Sequence, residues 1–221
     1  MNLRKNEARL ATGIALLALS SASASAAPAR RAGLPCGHNL YVVNSESDNL
    51  SVLDMRTNRV TATLATGDAP VNPTLSPDWK RLYVSNSVAG TLSVFDTRSG
   101  GLAATLPVPG AKPSGLAFTR DGKRLVVTFL GETLDTPGMV AAMDVASGTF
   151  GKAIAIGAQP ERLTLSPDGS RAYVANLRAR SMSVVDLEKG EVVATIALGE
   201  YPFNVLATPD GRRVYVGNVK G

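Results

Sequence analysis

Ser166-Pro167-Asp168-Gly169-Ser170-Arg171-Ala172-Tyr173-Val174-Ala175-Asn176, followed shortly by Ser183-Val184-Val185-Asp186, decides the fold. It reads as a tight turn, a short strand, and a second strand closed by an acid. The Tyr173 to Asn176 element has counterparts in Tyr41-Val42-Val43-Asn44, Tyr83-Val84-Ser85-Asn86, Leu125-Val126-Val127-Thr128 and Tyr215-Val216-Gly217-Asn218. In chain order the offsets are 42, 42, 48 and 42. Three further markers keep this register: the strand-closing acids Asp54, Asp96, Asp144 and Asp186; a Gly-x-x-Pro connector at Gly67–Pro70, Gly110–Pro113, Gly157–Pro160 and Gly199–Pro202; and a turn at Asp78, Asp121, Asp168 and Asp210. Agreement of four markers establishes an internal repeat.

Hydrophobic residues within a unit recur with period two, which specifies strands and excludes helical repeats of similar length. In the unit sampled, Ser114–Thr119 is strand A, Asp121-Gly122 a hairpin turn, Arg124–Thr128 strand B, Met139–Asp144 strand C and Lys152–Ile156 strand D. Asp-Gly suits a turn that visits positive φ. Asp78-Trp79 departs from this and predicts a different turn type there. The acid ending strand C is expected to cap the following turn, because a carboxylate that recurs in every unit belongs to the scaffold. Trp79 and Phe118 are expected to pack between repeats.

Four antiparallel strands in about 40–45 residues make a propeller blade. Tyr-Val-x-Asn, Ser166-Pro167-Asp168-Gly169 and Ser183-Val184-Val185-Asp186 resemble the YVTN-type β-propeller repeat of exported bacterial and surface-layer proteins, the YncE-like family. The resemblance implies an all-β, WD40-like propeller of four-stranded blades. It divides the chain into a signal peptide (1–26), a linker (27–39) and repeats at 40–66, 67–109, 110–156, 157–198 and, in part, 199–221. The first unit lacks strand A and the last stops after strand B, which leaves about four blades where the propellers it resembles close with about seven. The reading is therefore an incomplete propeller, from a truncated frame or a piece that needs a partner. Its open edges, near Val214–Val216 among others, are expected to favour self-association.

Composition narrows the chemistry. In 221 residues there are one Cys and one His, so an intramolecular disulfide and a four-ligand zinc site are both excluded. Cys36-Gly37-His38 lacks the second Cys of a haem-attachment motif, His38 reads as an inert residue ahead of the first strand, and no cofactor is expected. Cys36 remains available for an intermolecular disulfide. Lys and Arg are scattered without interleaved aromatics, which argues against nucleic acid as a partner.

Arg4, Lys5 and Arg9 precede the apolar run Leu10–Leu19 and a small-residue stretch that offers Ala24-Ser25-Ala26, the pattern of a cleaved secretory signal. The run is about half the length of a membrane span. Cys36 lies too far behind it, after Arg30 and Arg31, for lipidation. Removal of residues 1–26 lowers the formal charge from +5 to +3, leaves no membrane span, and places the mature chain in the periplasm or outside the cell.

Antiparallel blades put the D-to-A and B-to-C connections at one end of the inner strands, the channel mouth, and the A-to-B hairpins at the other. Constant Gly and Pro with changing neighbours is how a scaffold presents a variable site. Asn72, Lys112, Arg162 and Asn204 are the ligand-binding candidates from the connectors. Glu132 and Asp135 come from an insertion of six residues within 131–138, and two carboxylates alone are too few for calcium. Asn44, Asn86, Asn176 and Asn218 form a recurring set read as turn formers bonding nearby backbone. No catalytic or metal-binding residue emerges. The expectation is an exported, non-enzymatic propeller that binds a small ligand of anionic or carbonyl character, or a protein surface, at the channel mouth. The alternative, implied by the wider propeller group, is an enzyme or accessory subunit of the lactonase or quinoprotein amine dehydrogenase kind. N-terminal sequencing of exported material should begin at or near Ala27, and a chain still starting at Met1 would contradict the signal reading.

Overall fold

Short β-branched runs separated by Asp-Gly turns leave no room for helices, and the computed structural model, which describes residues 38–108 and 112–219, contains strands alone. The signal segment, Cys36 and Gly110 lie outside the described residues. The first sheet joins β1 (Asn39–Asn44), β2 (Asn49–Asp54) and β3 (Arg59–Ala65). The second joins β4 (Pro70–Leu75), β5 (Arg81–Asn86), β6 (Thr91–Asp96) and β7 (Leu102–Pro107). The third holds β8 (Lys112–Phe118), β9 (Arg124–Leu130), β10 (Pro137–Asp144) and β11 (Ile154–Ala158), and the fourth β12 (Pro160–Leu165), β13 (Arg171–Asn176), β14 (Ser181–Asp186) and β15 (Glu191–Ala197). β16 (Pro202–Ala207) and β17 (Val214–Asn218) form the last. Every neighbouring pair is antiparallel, and the sheets form an open arc of propeller blades with β4, β8, β12 and β16 innermost.

Stacking buries the central strands on both faces. Leu82 and Val84 of β5 join Leu50 of the first sheet, whereas Tyr83, between them, joins Leu125 and Val127 of the third. Val126 and Val140 face Val174 and Val185 of the fourth sheet, and Ala175, Met182 and Val184 face Val205 of the last. The central strands of the middle blades are thus buried at successive positions, whereas the outer strands β3, β7 and β15 are largely exposed. Each fully buried Leu or Val contributes about 1.5–3 kcal/mol, and the adjacent blade supplies part of the cover in every cluster. Phe118 packs between blades as expected, edge-on to Tyr83 with centroids 5.2 Å apart.

Pairing corrects the repeat register in the third unit. Arg81 pairs with Asp96 and Arg124 with Asp144, so the counterpart of Tyr83 to Asn86 is Val126 to Phe129, one residue later than the sequence pattern suggested. Asn86 pairs with Thr91, five residues on, and Phe129 with Met139, ten residues on. The insertion is therefore five residues, not six. Strand D of that unit begins at Ile154 instead of Lys152.

The recurring Asn does not act as a backbone turn former. Asn86 Nδ2 donates to Thr91 Oγ1 (3.0 Å) and Ser93 Oγ (2.9 Å), Asn176 Nδ2 to Ser181 Oγ (3.2 Å) and Ser183 Oγ (2.8 Å), and Asn44 Nδ2 to Asn49 Oδ1 and Ser51 Oγ. Each amide clasps strand B to strand C. The connector glycine lies against it: a Cβ on Gly157 would stand 2.7 Å from Asn176 Cγ, and one on Gly67 2.9 Å from Asn86 Cγ. Two sequence markers are thus one contact. Where Phe129 replaces the Asn, Met139 and Ala141 replace the partners of the amide, so an apolar trio takes over from a polar one.

The strand-C acids do cap their turns. Asp54, Asp96, Asp144 and Asp186 accept backbone N–H groups two or three residues on, and those bonds hold their carboxyls below the ordinary range. The hairpin at Asp78-Trp79 is not a different turn. Trp79 N–H donates to Ser76 O as Gly122 N–H does to Thr119 O, and Trp79 takes φ +62° where Gly122, Gly169 and Gly211 take +70° to +73°. The carboxylate of Asp78, bonded to Ser76 Oγ and Lys80 N–H, fixes the conformation whatever residue follows. Trp79 is 70% exposed, so it does not pack between blades. A left-handed residue with a Cβ costs about 1–2 kcal/mol. Trp79→Gly should therefore raise the unfolding free energy by about 1 kcal/mol with an unchanged denaturant slope, and a lowered midpoint would refute this account of the turn.

Candidate functional site

The inner strands do not start regularly. Three of the Gly-x-x-Pro connectors put a non-glycine residue with positive φ before the proline, Ala69 at +53°, Gln159 at +51° and Tyr201 at +54°, and all four inner strands then bulge, between Pro70 and Asn72, Pro113 and Leu116, Pro160 and Leu163, and Pro202 and Asn204. Bulges re-aim side chains. At this level the blades carry, in chain order, Val71-Asn72, Ser114-Gly115, Glu161-Arg162 and Phe203-Asn204. Gly115 is required because a Cβ would lie 2.6 Å from Glu161 O, which lets the third and fourth inner strands approach closely. Ser85 Oγ donates to Ser114 O (2.7 Å) and Ser114 Oγ to Glu161 O (3.3 Å), carrying a polar chain from blade to blade below the mouth.

Glu161 is the residue that sequence reasoning missed. It is 3% exposed, its Oε1 accepts from Gln159 Nε2 (2.8 Å), and burial pushes its carboxyl up to about 7 against the opposing pull of that bond and of Arg162. Arg162 is half-buried over the ring of Phe203, 5.7 Å from its centroid, and burial lowers its pKa. Its guanidinium makes no hydrogen bond or ion pair among the described residues. The available signal was positional: an acid directly after the connector proline where the other units have Val71, Ser114 and Phe203.

The six candidates separate into two groups. Lys112 Nζ donates to Glu132 O (3.0 Å), tying the inserted loop to the inner strand, and Asp135 faces Arg178 Nε at 3.8 Å across to the fourth blade. Lys112, Glu132 and Asp135 are thus brought together as a rim, with the lysine already engaged. Asn72, Arg162 and Asn204 occupy equivalent positions in three inner strands; Asn72 N–H donates to Ser85 Oγ, and Asn204 Oδ1 accepts from Val205 N–H. His38 is exposed ahead of β1. Among the described residues no three of His, Cys, Asp and Glu cluster as metal ligands, and no helix is long and apolar enough to cross a membrane.

Glu161 has a measurable signature. Its folded carboxyl titrates near 7 against an ordinary 4.5, so the folded chain keeps a proton that the unfolded chain releases. The corresponding stability is complete below pH about 4.5 and disappears as pH rises through 7. Glu161→Gln should stabilise the protein at pH 8 by about 2–3 kcal/mol and leave it near wild type at pH 4, and equal effects at both pH values would show that Glu161 is not buried as described.

Comparison with known proteins agrees with this architecture. The family described as YNCE-like beta-propeller matches residues 1–130, more than half of the chain. Among solved structures, Kuenenia stuttgartiensis hydrazine synthase superposes with a TM-score of 0.74 at 26% identity, covering 83% of this chain and 53% of that one. The chain thus spans about half the length of that relative. None of the curated proteins matches. With its repeat, its blades and this match in agreement, the chain belongs to the YNCE-like β-propeller family.

Proposed function

We propose that the chain is an exported, non-enzymatic propeller whose channel mouth binds a small anionic or carbonyl ligand. The observation that carries this reading is the Arg162 guanidinium, half-buried on Phe203 and without a hydrogen bond or ion pair among the described residues. A cation withdrawn from water is costly until an acceptor meets it, and the planar fork of Arg suits a carboxylate or a carbonyl pair. Glu161 and Gln159, buried beside it, supply a donor and acceptor for the rest of such a ligand. The mouth is built on inner strands, while the rim comes from an insertion that only one blade has, which is where a scaffold acquires specificity.

A second reading, a propeller serving an enzyme, draws on the likeness to hydrazine synthase. Haem absorbance or one zinc per purified chain would favour it. For the binding reading, a panel of small carboxylates and carbonyl compounds should give at least one that stabilises the wild-type protein. Arg162→Ala should weaken that compound by roughly tenfold to a hundredfold, and Lys112→Ala by less, through the released loop. Unchanged affinity in the double variant, with binding lost on changing Asp121 or Asp168, would move the site to the opposite end of the blades.

A further inference from the structure

The hairpin end of the arc carries an irregularity that the channel mouth does not explain. Pro77, Pro167 and Pro209 open three of the A-to-B hairpins, and the third unit has Arg120 in that place. The prolines pack onto the next blade: a Cβ on Gly122 would lie 3.5 Å from Pro77 Cδ, and one on Gly211 3.2 Å from Pro167 Cδ. Between the third and fourth hairpins there is no such proline, and Thr119 takes the contact, its Cγ2 3.5 Å from where a Cβ on Gly169 would stand. A groove of about 450 Å³ crosses this end of the inner strands from β8 over the end of β12 to β16, with Pro167, Thr208 and Pro209 also in its wall. Its floor is apolar, with Phe118, Leu163, Leu165 and Ala207, and Arg120 stands on its edge.

Arg120 makes no hydrogen bond or ion pair among the described residues. The carboxylates closest in the fold are occupied. Asp121 accepts from Thr119 Oγ1 and Lys123 N–H, Asp168 from Ser166 Oγ and Ser170 N–H, and Asp210 from Thr208 Oγ1 and Arg212 N–H. Thr164 Oγ1 accepts only a long bond from Ala207 N–H (3.4 Å), so its own hydrogen is available to a ligand. Hairpin segments 76–81, 119–124, 166–171 and 208–213 together hold eight Lys and Arg against four Asp, and the strand-C acids Asp96, Asp144 and Asp186 share this end, where Arg81 pairs with Asp96 and Arg124 with Glu188 while Arg120 keeps its charge without an ion pair among the described residues.

We propose that this groove binds a small alkyl or aryl carboxylate, its apolar body on Phe118, Leu163 and Leu165 and its carboxylate on Arg120. The volume lies in the range of small-molecule sites, and an apolar wall with one placed cation is the composition such sites use. This site does not depend on Arg162 or Lys112.

The test is titration of the exported full-length chain with octanoate at neutral pH, with 1-octanol as the uncharged counterpart and methyl NMR reporting on Leu163 and Leu165. Octanoate should saturate and move those methyls, and octanol should bind at least tenfold more weakly. Arg120→Ala should lower octanoate affinity tenfold or more. Arg120→Pro, which restores what the other hairpins carry, should abolish it, and where Arg120→Pro does not fold, Arg120→Gln replaces it. The Lys112→Ala/Arg162→Ala double variant should bind octanoate as wild type does, which separates this site from the channel mouth. Equal binding of octanol and octanoate, wild-type affinity in Arg120→Ala, or no saturation would each overturn the proposal.

Discussion

Strands B and C of the second, third and fourth blades are buried on both faces, and the rest of the structure follows from that constraint. A strand such as β5 places Leu82 and Val84 against one neighbour and Tyr83 against the other, so no blade has a core of its own. The hydrophobic contribution of these residues is completed when the next repeat arrives. Blades must therefore enter the stack at one angle and one register. The connector and the clasp are the parts that enforce this.

The clasp is a positioning device more than a source of net stability. Asn86 and Asn176 use Nδ2 to hold two hydroxyls of strand C, while Oδ1 of each is buried without a hydrogen-bond partner among the described residues. An orphaned acceptor costs about 1–3 kcal/mol, comparable to what the two bonds return. What the arrangement secures is geometry, because the flat amide leaves space for a backbone with no Cβ, and Gly67 or Gly157 brings the incoming chain onto it. The third blade joins strands B and C by the opposite chemistry. Phe129, Met139 and Ala141 leave no polar group to satisfy, and Phe129 is held edge-on by Phe150 with centroids 5.8 Å apart. A fully apolar set and a clasped polar one are both tolerated, whereas a mixture would strand a donor.

The architecture was legible because its markers are backbone devices. Asp-Gly turns, capping acids and Gly-x-x-Pro connectors act through φ angles and N–H groups, which depend on residue type at single positions. Register in the third unit was misread for the same reason: Phe129 had erased the Asn, and Thr128 offered a false match one residue early. The hairpin acids Asp78, Asp121 and Asp168 held the true spacing. Trp79 shows that turn chemistry can reside in the residue before the left-handed position, since Asp78 makes the same bonds there as Asp121 does before Gly122. Glu161 was not legible, because an acid beside a connector proline resembles a solvated loop residue until the bulge turns it inward.

Along the inner strands the residues that differ from blade to blade fall at two levels, and the two levels behave differently. At the mouth, the bulge separates side chains from the ladder, so Val71, Ser114, Glu161 and Phe203 can differ without disturbing strand pairing. At the hairpins, the residue before the turn acid is part of the packing between blades, so where Arg120 stands in place of the proline the contact passes to Thr119 and a cation is set beside the groove. The first kind of change is neutral to the scaffold and the second is not. A cation without a hydrogen bond or ion pair among the described residues, set beside a groove with an apolar floor, is a combination that the packing of the blades does not itself call for.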